Sequence, residues 1–151
     1  MSDGWSSSDG VVTLRPPRPG DAALLVAGRD DEFHRWMGPG AEEPHPTACI
    51  VVEGDVVGWV DHDTDADHDW LRPGEINVGY HLFAAARGRG YATRAVTLLL
   101  QHLSQSSEAH TATLLIDPAN HPSLGVARRA GFTSSGEVRG QRRYERPLAG
   151  L

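Results

Sequence analysis

One stretch of the sequence, Glu75 to Leu103, combines residue types that could hold an anion. It passes from a strand-like run through small residues to Arg87-Gly88-Arg89-Gly90, directly before an apolar-periodic segment. Glycines let the backbone approach a ligand closely, and the first turn of a helix leaves its N–H groups unpaired. Those N–H groups, the positive end of the helix dipole and the two arginines would together hold a phosphate or a diphosphate.

The elements that must position this turn follow from the same stretch. Residues 75–83 suit a pleated surface and predict a strand. After the turn, apolar residues recur at helical spacing, which predicts a helix with one buried face; they are Tyr91, Ala95, Leu98, Leu99 and Leu103. Neither GxxxxGK[ST] nor GxGxxG occurs at this turn, so an exposed loop with solvated arginines stays open as the alternative.

Two blocks of sequence carry a resemblance to a known family. Residues 87–92, Arg-Gly-Arg-Gly-Tyr-Ala, resemble the (Gln/Arg)-x-x-Gly-x-(Gly/Ala) signature of the GNAT N-acetyltransferase superfamily, which binds acetyl-CoA. Residues 120–132 look like the Asn-x-x-Ser…Gly-Phe segment of its Rim-type branch, the ribosomal-protein-alanine/serine acetyltransferases. The blocks stand in the family's order. The resemblance implies a transferase that moves an acetyl group from acetyl-CoA, its cosubstrate, to an amine.

The resemblance also implies which residues bind the cosubstrate. The diphosphate would lie over the Arg-Gly turn, the pantetheine arm would bond to backbone groups at the end of the strand, and Asn120 would bond to the pantetheine amides. The predicted cofactor-binding residues are Leu82, Phe83, Arg87, Gly88, Arg89, Gly90, Tyr91, Ala92 and Asn120. Gly79 fits the bulge that opens the central strand in this family.

Catalysis needs a base for the amine and an acid for the leaving thiolate. Glu75, acting through a water, is the predicted base. Many family members protonate the thiolate with a tyrosine, but Ala127 stands at that position, so the Rim-type resemblance assigns the role to Ser123. Asn77 on the strand is a predicted acceptor contact.

Phe33 and Trp36 belong to a helix–loop segment that forms one wall of the acceptor site in the family. Both residues are predicted acceptor contacts, and both are equally compatible with the core. No metal is predicted, because the acidic run from Asp61 to Asp69 has Ala66 where a calcium loop needs glycine and Arg72 where it needs glutamate.

Composition excludes several classes of protein. The formal net charge is −6 and the pI is about 5.7, which argue against broad binding to nucleic acid or anionic membranes. Cys49 is the only cysteine, so no internal disulfide forms. No apolar run reaches the ~18 residues that span a bilayer. These features favour the cytoplasm.

The predicted fold is α/β (α+β), in the order β-α-α-β-β-β-α-β-α-β-β. Residues 1–10 predict a disordered tail, and residues 11–151 one acetyltransferase domain. Asp21 is a plausible N-cap for the first helix. Glu53-Gly54-Asp55 and Arg139-Gly140-Gln141 predict hairpin turns. The resemblance implies a GNAT-like domain with a mixed, mainly antiparallel sheet, flanking helices and a splayed central strand.

The sequence leaves the acceptor open. A protein N-terminus, as the Rim-type resemblance implies, and a small-molecule amine are equally compatible, and the transfer would be direct within a ternary complex. The alternative function is a non-catalytic acyl-CoA-binding sensor or interaction domain. Members of the family are often dimers, which leaves a homodimer open.

Overall fold

The computed structural model describes residues 5–151, which form eight strands, four α-helices and one 3₁₀ turn. In chain order the elements are β1 (Ser7–Ser8), β2 (Val12–Arg15), α1 (Asp21–Ala27), α2 (Asp31–Met37), β3 (Ala48–Val52), β4 (Asp55–Thr64), β5 (Glu75–Leu82), the 3₁₀ turn (Ala84–Ala86), α3 (Tyr91–Ser106), β6 (Thr111–Ile116), α4 (His121–Arg129), β7 (Thr133–Val138) and β8 (Gln141–Pro147). Among residues 5–151, no helix is long and apolar enough to cross a membrane.

The strands form one mixed sheet in the order β1-β2-β3-β4-β5-β6-β8-β7. Strands β5 and β6 are parallel, whereas β1–β2, β2–β3, β3–β4, β6–β8 and β7–β8 are antiparallel. A parallel pair needs a long crossover, and α3 supplies it between β5 and β6. The mixed, mainly antiparallel α/β sheet predicted from the sequence is confirmed.

The chain divides into two compact units. Within the described residues, the first contains residues 5–61 together with Tyr80–Leu98, and the second contains His62–Gly79 and Leu99–Leu151. Each has its own fully buried side chains. Those of the first unit include Val12, Leu14, Leu25, Ile50, Val60 and Val96; those of the second include Leu99, Leu100, Ala112, Thr113 and Ala127.

The first helix begins differently from the prediction. Its N-cap is Gly20, in a left-handed conformation without a side-chain cap, so the assignment of Asp21 as N-cap is wrong. Asp21 is instead the first helical residue and is buried. Its carboxylate accepts hydrogen bonds from the Arg15 guanidinium and the Arg18 backbone N–H, both at 2.7 Å. The carboxylate is thus paired with Arg15, six residues earlier in the sequence, and does not cap the helix.

The N-terminal segment also differs from the predicted disordered tail. Ser7 and Ser8 form β1 and pair with β2. Asp9 accepts from the Val12 backbone N–H and, with its other oxygen, pairs with Arg94 at 2.9 Å. Residues 1–4 lie outside the described residues. Strand β4 continues to Thr64 and so includes the first residues of the acidic run.

Both predicted hairpins are present. Glu53 and Gly54 have φ of 53° and 86°, and Arg139 and Gly140 have φ of 51° and 84°. Two successive residues with positive φ are characteristic of a type I′ turn, whose twist suits the two flanking strands. The glycine of each turn takes this conformation without steric cost.

Strands β4 and β5 approach each other closely at Gly58. A Cβ atom at this position would overlap the carbonyl oxygen of His81. The β3–β4 register shifts between Ile50 and Val51, directly across from this region. The sequence analysis assigned a close approach or a bulge to Gly79 on β5. The close approach in the structure lies at Gly58 on the neighbouring strand β4. Like Gly79, Gly58 directly precedes an aromatic residue, Trp59.

We predict that Gly58→Ala lowers the free energy of unfolding by about 1–3 kcal/mol, the usual cost of extra volume in a packed interior. Chemical denaturation measures this difference. Gly125→Ala in α4 is the control, because a Cβ there meets only the guanidinium end of Arg129. Alanine in that helix should be neutral or stabilise by ~0.5–1 kcal/mol. Wild-type stability of the Gly58 variant would contradict the close approach.

Candidate active site

The Arg-Gly turn lies exposed between the 3₁₀ turn and α3. Gly88 and Gly90 have φ of 78° and 81°, and no protein atom lies within 4 Å of a Cβ built on either of them. Helix α3 starts at Tyr91, so the N–H groups of its first turn, which have no partner within the helix, follow directly after this open turn. Thr93, in that first turn, has a buried hydroxyl without a hydrogen-bond partner among residues 5–151. The predicted strand–turn–helix arrangement is therefore present.

The Arg87 side chain turns away from the open side of the turn. Its Nη1 and Nη2 atoms donate to the two carboxylate oxygens of Asp30 at 2.7 and 3.0 Å. Its Nε donates to the Leu82 carbonyl oxygen at 3.1 Å, and Nη2 also lies 3.2 Å from Nε2 of His81. The guanidinium that the sequence assigned to the diphosphate is thus engaged within the protein. Arg89 in the same turn is exposed.

The Arg87 contact fixes the protonation of His81. A guanidinium has donors only, so Nε2 of His81 must accept and the ring proton must sit on Nδ1. Burial, together with the Arg87 charge, lowers the pKa of His81 from 6.5 to about 4. His81 is therefore neutral near pH 7. Its Nδ1–H is buried and has no hydrogen-bond partner in the described part of the chain.

Asp30 joins this network to α2. It is the N-cap of that helix, and its Oδ1 atom accepts from the Phe33 backbone N–H at 3.0 Å. The Arg87 guanidinium holds the pKa of Asp30 well below its usual range. In the sequence, the acidic pattern of residues 30–32 indicates only charges that favour a helix N-terminus. A partner 57 residues away could not be read from it.

The two aromatic residues predicted for the acceptor wall lie in different environments. Phe33 is 4% exposed and packs edge-on against His81, with ring centroids 4.8 Å apart. Trp36 is half-buried, donates its indole N–H to Glu32 at 3.0 Å and stacks under Arg35. Trp36 is accordingly the more accessible of the two. Their role as acceptor contacts stays a prediction.

Most backbone groups at the end of β5 have partners within the protein. The Phe83 N–H donates to the Val57 carbonyl oxygen at 2.8 Å, and the Phe83 carbonyl oxygen accepts from Ala86 at 2.9 Å. The Leu82 carbonyl oxygen is bonded to Arg87. A pantetheine arm lying along these residues would have to compete with such bonds, which the sequence did not indicate.

Glu75 and Asn77 lie in the second unit. Glu75 is buried, and its two oxygens accept from the Arg72 backbone N–H at 3.0 Å and the Arg143 guanidinium at 2.9 Å. Burial alone would raise the pKa of Glu75, but these two donors outweigh it and leave the pKa below its ordinary value. The Thr113 hydroxyl lies 3.0 Å from the Asn77 side-chain oxygen. Arg143 is a partner that the sequence analysis missed, since 68 residues separate it from Glu75.

Asn120 and Ser123 lie together at the start of α4, also in the second unit. Asn120 is the N-cap, and its side-chain oxygen accepts from the Ser123 backbone N–H at 3.4 Å. Ser123 is half-buried, and Ala127 is fully buried one turn further along. The family resemblance assigned Asn120 to the pantetheine, whereas its side-chain oxygen accepts a hydrogen bond within the helix N-terminus.

Cys49 does not offer a nucleophile. The side chain is completely buried, with Sγ 3.6 Å from the Asp21 carboxylate. Burial, reinforced by the Asp21 charge, raises the pKa of the thiol to about 12. The thiol therefore stays protonated at neutral pH.

The family of the chain follows from a sequence match. The family described as Acetyltransferase (GNAT) domain matches residues 12–133, most of the chain. The chain therefore belongs to the GNAT acetyltransferases. No curated protein matches it significantly in sequence.

Solved structures of the same fold include three informative ones. The aminoglycoside acetyltransferase AAC(6′)-Ib in complex with coenzyme A has a TM-score of 0.79 and 19% identity, covering 90% of this chain and 94% of the other. A GNAT-family acetyltransferase from Bacillus anthracis has a TM-score of 0.79 and 14% identity, covering 95% and 99%. RimJ of Mycobacterium smegmatis, with CoA-disulfide, has a TM-score of 0.74 and 24% identity, covering 94% and 84%.

We predict that His81 makes stability depend on pH. The unfolded chain takes up a proton at His81 below its ordinary pKa of 6.5, whereas the folded chain does so only below about 4. The free energy of unfolding should therefore rise with pH across this window and fall by on the order of 3 kcal/mol as pH decreases through it. Urea denaturation of the wild type and His81→Phe at several pH values measures it. Difference curves that stay flat between these pKa values would contradict the buried neutral histidine.

Proposed function

We propose that the chain transfers the acetyl group of acetyl-CoA to a primary amine, either a protein N-terminus or a small-molecule amine, by direct attack in a ternary complex. The amine nitrogen forms a bond to the thioester carbonyl carbon, the carbon–sulfur bond breaks, and the nitrogen loses a proton while the thiolate gains one. The reaction is balanced without any further reactant. The buried, protonated Cys49 supports transfer without an acyl-enzyme.

The observation that carries this proposal is the open Arg-Gly turn ahead of α3. Gly88 and Gly90 hold left-handed conformations with free space where a side chain would be, and they lead into the unpaired N–H groups of the helix. Main-chain donors and the helix dipole suit a diphosphate. With Arg87 bonded to Asp30, we assign the charged side-chain contact in this turn to Arg89, while Tyr91 and Ala92 contribute backbone groups.

For the chemistry itself we propose Ser123 as the acid for the leaving thiolate and Glu75 as the base acting through a water. The ion pair with Arg143 keeps Glu75 ionised at neutral pH, which is the form a base requires. It also makes Glu75 a weak base, because a low pKa reduces its affinity for a proton. Asn120 would bind the pantetheine, and Phe33, Trp36 and Asn77 the acceptor.

We predict that Gly88→Val and Gly90→Val each raise the Kd for coenzyme A about tenfold or more, equivalent to ~1.4 kcal/mol. Valine disfavours positive φ, so the turn must change its backbone path and redirect its N–H groups. Isothermal titration with coenzyme A measures the Kd. Gly140→Val is the control, because Gly140 has φ of 84° and equal free space in the β7–β8 turn. Unchanged affinity for coenzyme A in both turn variants would refute the proposed diphosphate site at the Arg-Gly turn.

We predict that Ser123→Ala and Glu75→Gln each slow turnover about tenfold or more. The assay follows release of free thiol from acetyl-CoA with a panel of amines: peptide N-termini, a lysine side chain, an aminoglycoside and a polyamine. Ser134→Ala on the exposed face of β7 is the control for the serine. Because Glu75 is also an ion-pair partner, rates are compared for variants shown to be folded by thermal melting.

Two outcomes would overturn parts of this proposal. Wild-type rates in both variants would show that the assigned acid and base are wrong. Binding of acetyl-CoA by the wild type, with no thiol release for any amine, would favour a non-catalytic acyl-CoA-binding sensor.

A further inference from the structure

Three consecutive residues between α1 and α2, Gly28 to Asp30, contact three different parts of the first unit; we call them the junction. Gly28 leaves room for the ring of Phe83 at the end of β5, which would overlap any Cβ there. Arg29 holds the loop after α2. Asp30 holds Arg87 in the Arg-Gly turn. The junction therefore contacts both the Arg-Gly turn, where we place the cofactor, and the segment of α2 and its following loop that is assigned to the acceptor.

Arg29 anchors the loop formed by residues 38–46. Its guanidinium donates to the Ala41 carbonyl oxygen at 2.7 Å and the Pro39 carbonyl oxygen at 3.4 Å. The same guanidinium stacks 4.9 Å from the centre of the Phe33 ring. The loop is thus tied back to the start of α2 through one side chain.

Asp30 connects the start of α2 to the Arg-Gly turn through Arg87. One carboxylate oxygen accepts from both the Phe33 N–H and Arg87, and the other accepts from Arg87 alone. Arg87 in turn uses four of its five N–H donors on Asp30, Leu82 and His81. A bidentate carboxylate–guanidinium pair has a fixed geometry, so it transmits position as well as charge.

We propose that the Asp30–Arg87 pair couples the cofactor turn to the acceptor side, so that coenzyme A binding at residues 88–93 orders α2 and loop 38–46. Asp30 and Arg87 are positioning residues, and the Arg87 guanidinium is not a phosphate ligand. The inference rests on the proposed function, which places the diphosphate on this turn and the acceptor beside Phe33 and Trp36. Ordering one end of a rigid connection lowers the entropic cost of ordering the other.

Asp30→Asn is the variant of choice. Asparagine caps a helix as well as aspartate does, so α2 keeps its N-cap while the charged bidentate pair with Arg87 is lost. Asp31→Asn is the matched control. It removes the same charge from the same turn of α2, at an exposed residue one position away from the pair.

Amide hydrogen exchange with and without coenzyme A tests the coupling in the full-length chain. In the wild type and Asp31→Asn we expect coenzyme A to slow exchange at residues 88–93 and also at residues 31–46. In Asp30→Asn the protection at 88–93 should remain while that at 31–46 is lost. Protection of 88–93 without any effect at 31–46 in the wild type would overturn the coupling. No protection at 88–93 would instead refute the proposed cofactor site.

Titration and kinetics separate the KM for the amine from the Kd for coenzyme A, two quantities that a purely structural role of Asp30 would not change selectively. Asp30→Asn should raise the KM about fivefold or more for the amine of the panel that the wild type acetylates fastest. That change is at the lower end of typical coupling between two sites. The Kd for coenzyme A should stay within about twofold of the wild-type value. Arg87→Gln should reproduce this pattern, and the double variant should be no worse than either single one. An Arg87→Gln variant that loses about tenfold in coenzyme A affinity would identify a phosphate ligand and reject the proposal.

Discussion

The ion pair between Arg87 and Asp30 connects the Arg-Gly turn, the start of α2 and His81 within the first unit. Both side chains are about one-third exposed, at 33% and 31%, so the pair contributes little to stability by itself. Its importance is positional. It fixes the residue that opens the Arg-Gly turn, the N-cap of α2 and the tautomer of His81 in a single set of hydrogen bonds.

In the Arg-Gly turn, the Arg87 side chain bonds within the protein, and the main chain faces the open side. Since the Arg87 guanidinium faces inward, the open side presents backbone N–H groups, glycines with left-handed conformations and the exposed Arg89. Main-chain donors are held by the helix and need no side-chain ordering when an anion binds. Burial of His81 in its neutral form, next to Arg87, keeps a second positive charge out of the interior.

Local signals in the sequence predicted the fold well, because they depend on neighbouring residues. Apolar spacing located α3, and the Gly-containing turn sequences located both hairpins, whose glycines have positive φ in the structure. The failures share another cause. Asp21, Asp30 and Glu75 each have an arginine partner that the sequence analysis did not foresee, and for Asp30 and Glu75 that partner lies 57 and 68 residues away. A single sequence shows that such a residue is charged, but it does not show which charge it meets.

In the proposed mechanism, the ion pair between Glu75 and Arg143 also limits the base that would deprotonate the amine. A lysine ammonium has a pKa near 10.4 and an α-ammonium about 7.7–8.0. Glu75, held ionised by Arg143 and the Arg72 N–H, has too little basicity to deprotonate the former readily. An α-amine is already partly neutral near physiological pH, so it needs only a weak base and correct placement. With Glu75 as the proposed base, its lowered pKa favours acceptors whose amine has a low intrinsic pKa.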